Sequence, residues 1–256
     1  MLIDSHTHLY LREFDSDRDE MLQRAIDVGV GKFYLPNIDA ESASAMLEME
    51  ARHSQQCHAM MGVHPGSVKD DYKKELDAAG AWLAKRPFAA IGEIGIDLYW
   101  DKTFIEEQKD AFSTQIEWAK DLGLPVVIHS RNSMNLVIEL LKEAYDERLR
   151  GILHCFTGNL EQARQLMELG FYMGIGGIIT YKNAGLAGVV RHIPLEYLVL
   201  ETDSPYLPPV PHRGKRNESA YLRFIAEKLA ETKNLGLEAV AVGTTTNVEK
   251  IFSKKA

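Results

Sequence analysis

The sequence predicts an α/β fold, a single (β/α)8 TIM-type barrel running over residues 1–256. Three observations carry this. Short apolar runs alternate with longer stretches of helical spacing along the whole chain. The first run is followed by Ser5-His6-Thr7-His8, where an open doubly wound sheet would carry a glycine-rich phosphate turn. Six residues, His6, His8, Glu93, His129, His154 and Asp203, each fall at or just past the end of such a run. In a closed barrel of parallel strands those ends meet on the C-terminal rim.

Strands are expected at residues 2–8, 32–37, 58–64, 88–96, 124–129, 151–156, 171–175 and 197–203. Helical spacing is clearest at 104–122, where Gln108, Phe112, Ile116 and Ala119 recur at three- and four-residue steps. That helix should stop at Gly123, with Pro125 beyond it. Asn159 followed by Gln162 reads as a capped helix start, with Ala163, Leu166 and Leu169 on one face and Gly170 as the stop. Strand and helix in alternation imply parallel strands with crossover helices.

With 256 residues, 45% hydrophobic and 26% charged, the chain has the size of one such barrel and no low-complexity linker. The net charge of −8 argues against a broad nucleic-acid clamp but permits an enzyme that grips a few phosphates. Cys57 and Cys155 offer no disulfide framework. Neither a secretion signal nor a membrane-length apolar run is visible, so a cytoplasmic monomer without a membrane partner is expected.

His6 and His8, two apart on a strand, can reach one ion from the same face. Asp4 shares that face, as a support for the site, a helix cap or a solvent contact. Glu93 lies in the apolar run 90–97, where a carboxylate is costly without a positive partner. A core Arg or Lys could serve, but imidazoles on neighbouring strands make a cation the better partner. His129 and His154 end consecutive strands. Asp203 ends the last strand, beside the first. His6, His8 and Asp203 therefore form one group, His129 and His154 another, and Glu93 reaches between them. This describes two cations sharing a carboxylate, roughly 3.5–4 Å apart, as in phosphoryl displacement.

Ser5-His6-Thr7-His8, Gly62-Val63-His64-Pro65, Gly92-Glu93-Ile94-Gly95-Ile96-Asp97, His154-Cys155-Phe156-Thr157-Gly158, residues 201–207 and residues 213–218 resemble, in order, the TatD family of metal-dependent deoxyribonucleases. The resemblance implies a barrel of the amidohydrolase type and divalent metal ions, often magnesium. It implies hydrolysis of DNA phosphodiesters, in some members as a 3′→5′ exonuclease on single strands. It also implies that His6, His8, Glu93 and Asp203 hold one ion, and Glu93, His129 and His154 the other. Two departures stand out: Ser130-Arg131-Asn132 where many relatives have Arg-Asp, and Ser219 where Pro is common.

In that reading a water activated at the metals attacks phosphorus while Asp203 accepts its proton. Glu201 either assists or pairs with a buried Arg or Lys. Arg213, Lys215 and Arg216, on the loop after the last strand, and His64 are the expected phosphate contacts. Tyr99, Trp100 and Tyr206 either stack on bases or anchor rim loops, and His53, His58 and His192 have no functional placement. Mixed imidazole and carboxylate ligands would also accept zinc, manganese or iron. The alternative function is a related hydrolase acting on the ester of D-aminoacyl-tRNA, or on another amide or ester.

Overall fold

The computed structural model describes residues 1–99 and 101–253; Trp100 lies outside them. Strands β1 (Leu2–Asp4), β2 (Val30–Pro36) and β3 (Cys57–Met60) pair in sequence order. So do β4 (Ile91–Asp97), β5 (Val126–Arg131), β6 (Gly151–Leu153), β7 (Phe171–Ile175) and β8 (Leu198–Leu200). Every pairing is parallel. Two seams join these arcs. Met61 bridges to Ile91, its N–H donating to the Ala90 carbonyl at 3.1 Å. On the other side Ser5 N–H donates to Leu200 O at 3.0 Å, and Asp203 N–H to His6 O at 2.9 Å. The strands thus close into a barrel.

Between them run α1 (Arg18–Asp27), α2 (Ala43–Arg52), α3 (Tyr72–Leu83), α4 (Ile105–Leu122), α5 (Met134–Glu143), α6 (Leu160–Glu168) and α7 (Leu186–Val190), with α8 (Leu222–Lys233) and α9 (Leu237–Phe252) after β8. The expected terminators are present. Gly123 closes α4 in the left-handed conformation, and Asn159 and Gln162 exchange both bonds of the capping box at 2.9 Å.

Strand alternation divides the core in two. Ile3, Tyr34, Met60, Val127, Ile152 and Val199, each from a different strand, fill the barrel interior. Their chain neighbours Leu2, Phe33, Val126, Leu153 and Leu198 face the helices. From α9, Val248 and Ile251 join the interior cluster, so this helix plugs the barrel at the end opposite the site.

Four strands stop well short of the expected ends, β1 at Asp4, β3 at Met60, β6 at Leu153 and β8 at Leu200, and β2 stops just short at Pro36. Past those points the backbone leaves the ladder for other partners. Thr7 N–H donates to Tyr34 O at 3.1 Å, His8 N–H to Ser204 O at 2.8 Å and Phe156 N–H to Gly174 O at 2.9 Å. His6, His8, His64, His154 and Asp203 therefore sit on pinned rim segments rather than on strands. No helix among the described residues is long and apolar enough to cross a membrane.

Candidate metal centre

Glu93 projects from β4 at the middle of the rim and is 2% exposed. Its strand lies tight against β5: a Cβ on Gly95, at φ +139°, would stand 2.1 Å from the His129 carbonyl oxygen. Every ion pair of Glu93 among the described residues is with an imidazole. Oε2 lies 3.1 Å from His6 Nε2 and 3.6 Å from His8 Nε2. Oε1 lies 2.8 Å from His154 Nε2, 2.9 Å from His129 Nδ1 and 3.6 Å from His64 Nε2. Burial would lift this carboxyl, but His154, His6 and His64 outweigh it and hold the pKa well below the usual carboxylate range.

Hydrogen bonds behind the imidazoles fix which nitrogen faces inward. Tyr10 OH donates to Pro36 O at 2.6 Å, so it accepts from His8 Nδ1 at 3.1 Å, and the Nε2 lone pair of His8 points at Glu93 and Asp203. Asp97 Oδ2 lies 3.0 Å from His129 Nε2 and accepts a hydrogen bond from its N–H, leaving Nδ1 for the centre. Glu201 approaches His154 at Nδ1, 3.6 Å away, on the ring edge opposite Glu93. Asp97 had no assigned role in the sequence. The signal was present: it is four residues from Glu93 on one strand, hence on the same face.

Asp203 has φ +55°, a left-handed conformation that Asp tolerates better than most residues. Its Oδ1 lies 3.7 Å from His6 Nε2 and 3.6 Å from His8 Nε2. Asp4 holds this segment from beneath. Fully buried, it accepts from Thr202 N–H at 2.9 Å, Thr202 OH at 2.6 Å and Ser219 OH at 2.7 Å, which rules out the solvent contact. Burial raises its pKa to about 7.

Glu201 differs from both earlier expectations. Among the described residues it pairs with no Arg or Lys, accepting instead the Cys155 N–H and backing His154. Gly174 makes room for it, since a Cβ there would fall 2.1 Å from Glu201 Oε2.

The donor set fits divalent cations. Donors about 2.1 Å from one ion stand about 3.0–3.5 Å from each other, close to the spacings above. Three groups bring one candidate donor atom per residue within 4.8 Å of one another: His6, His8 and Asp203; His6, Glu93 and His154; and His64, Glu93 and His129, of which His64 has its Nδ1 engaged by Gly66 N–H. Both ring nitrogens of His6 are buried without a hydrogen-bond partner, which a cation at Nε2 would relieve at one of them. His6 and His154 stack at 3.9 Å, so the two halves of the site are in direct contact.

On the substrate side, His64 accepts from Gly66 N–H at Nδ1, 2.9 Å away, and burial pushes its pKa down to about 3. The neutral ring therefore carries its proton on Nε2, directed into the site. Arg216 is a correction. Its fork is closed on Asp17 at 2.6 and 2.9 Å, it donates to Glu13 O, and it lies over Phe14. It latches the loop to α1 and is not free for phosphate. Arg213, exposed, lies 4.4 Å over the Tyr181 ring, and Lys215 is exposed. Tyr206, 48% exposed, has its ring 6.1 Å from that of His8. Its carbonyl accepts from Asn217, which also donates to Thr202 O; Asn217 is a second ordering residue without an expected role. Tyr99 lies under the Arg131 guanidinium at 3.7 Å.

A family model described as "TatD related DNase" matches residues 3–253. The chain belongs to the TatD family. It is 38% identical to the metal-dependent hydrolase YabD of Bacillus subtilis over 98% of this chain and 99% of the relative. It is 34% identical to the TatD 3′-5′ ssDNA/RNA exonuclease of Escherichia fergusonii, over 98% of each chain. Among solved structures, the TatD homologue YjjV of Escherichia coli superposes with TM-score 0.92 at 32% identity, covering 98% of this chain and 97% of the other. The chain is thus a metal-dependent hydrolase with the TatD barrel.

Proposed function

We propose that this TatD-family hydrolase removes nucleotides from the 3′ end of single-stranded DNA, using two divalent cations, magnesium in use, that Glu93 would share within one barrel domain. The observation that carries the reading is the division of Glu93: Oε2 faces His6 and His8, while Oε1 faces His129 and His154. The nuclease activity named for the Escherichia fergusonii relative supports the substrate.

His6, His8 and Asp203 with Glu93 would hold one cation, and Glu93, His129 and His154 the other. The cations would supply a lowered water pKa and offset charge on the phosphoryl oxygens. Asp203, its side chain 13% exposed, takes the proton of the attacking water. Glu201, fully buried, acts through His154 as a positioning residue and reaches no substrate. His64 donates its Nε2–H to a phosphate oxygen, and Arg213 and Lys215 meet the neighbouring phosphates.

The test is a time course on single-stranded DNA labelled at either end, with magnesium, manganese or zinc, beside a D-aminoacyl-tRNA control. Progressive shortening from the 3′ end is expected. Asp203→Asn should lower kcat about 10²–10⁴-fold with little change in DNA affinity. Release of the amino acid without DNA cleavage under any metal would replace this reading with the ester-hydrolase one.

A further inference from the structure

On the rim, where β4 and β5 end and the chain leaves β6 for α6, lies a groove of about 500 Å³ that the chemistry above does not use. It is lined by Leu98, Ser130, Asn132, Asn135, Thr157 and Gln162, among others. Leu98 follows Asp97, Ser130 follows His129, and Thr157 stands three residues past His154. The groove therefore begins where three of the site residues end.

Its chemistry differs from that of the phosphate side. None of its lining residues carries a charge, so it offers a phosphate no counterion. It is also rich in hydroxyl and amide groups, which a purely apolar ligand would leave unmet. Part of the wall is preset. Gln162 donates to Asn135 Oδ1 at 2.7 Å while its own Oε1 accepts from Asn159 N–H at 2.9 Å. Ser133 OH donates to Ile96 O at 2.6 Å, so Ser130 donates to Ser133 at 3.0 Å and keeps its oxygen as an acceptor. Asn132, at φ +56°, presents its amide at the exposed edge, and Met134 and Leu136 add apolar surface.

An uncharged, flat ligand with donors and acceptors on its rim matches this lining. We propose that the groove is a nucleoside subsite, holding the sugar and base of the nucleotide next to the scissile phosphate. This rests on the nuclease reading above. Amide side chains are suited to such edges because they present a donor and an acceptor side by side.

The test uses the full chain and deoxyadenosine, an uncharged probe, with binding followed by saturation-transfer NMR and calorimetry. Saturable binding is expected. Asn132→Asp and Asn135→Ala, both at exposed positions, should each weaken it about tenfold with the melting temperature retained. In parallel, kcat/KM on an oligonucleotide should fall about tenfold further in these variants than kcat/KM on bis(4-nitrophenyl) phosphate, which has neither sugar nor base. No saturable binding, or equal binding by both variants, would overturn the subsite even if the enzyme cuts DNA. Deoxyadenosine binding that both variants lose, in a protein that cuts no nucleic acid, would keep the groove as a nucleoside site and sink the exonuclease reading.

Discussion

His129 shows how much a single side chain in this site depends on what stands behind it. Its Nε2–H meets Asp97 at 3.0 Å, which sets the tautomer and turns Nδ1 toward Glu93. Asp97→Asn should therefore weaken cation affinity about ten- to a hundredfold, measured by calorimetric titration, with the fold intact. The six expected donors were legible because each ends an apolar run. Asp97 was equally visible but unassigned, since nothing local says that a carboxylate will face an imidazole on the next strand. Arg216 failed for a related reason. Its charge and loop position suited phosphate, but its partner Asp17 lies 199 residues away in sequence.

Elements tie these side chains down in ways that periodicity hides. On α4, Gln108 and Gln115 occupy the same face two turns apart, and Gln108 alone reads as part of the buried stripe. Both are buried, and each serves backbone groups at the rim, one at the end of β4 and one in the loop before His64. Gln115 accepts from Val63 N–H at 2.7 Å and donates to Val63 O at 3.3 Å, next to His64. Gln108 does the same for Asp97. Gln115→Leu would strand both Val63 groups and should cost about 1–3 kcal/mol per group, read from urea unfolding. A second tie is the latch between the loop after β8 and α1. Arg216 and Arg24 hold the Asp17 carboxyl below the usual carboxylate range. A depressed carboxyl contributes stability above its unfolded pKa, near 3.8, and loses it as pH falls toward the folded value. Asp17→Asn should thus melt earlier than the wild type at pH 6, and the gap should narrow as pH drops below about 4. An unchanged gap would place the latch's effect elsewhere.

At the scale of the whole molecule, strand and helix alternation made the barrel readable, because parallel strands need crossovers and eight of them close a ring. What closes this ring was not readable. The seams are a few backbone bonds at Met61 and Ser5, and the interior is sealed by Val248 and Ile251 from a helix that follows the last strand. Closure brings β8 against β1 and lets Glu93 face imidazoles from both sides, so the proposed pair of cations would depend on the complete barrel. The direct measurement is a manganese(II) titration of the full chain followed by EPR. The account predicts two ions per chain at saturation, magnetically coupled at a separation of roughly 3.5–4 Å, with the coupling lost in Glu93→Gln. Saturation at a single ion, or two uncoupled ions indifferent to Glu93→Gln, would contradict it.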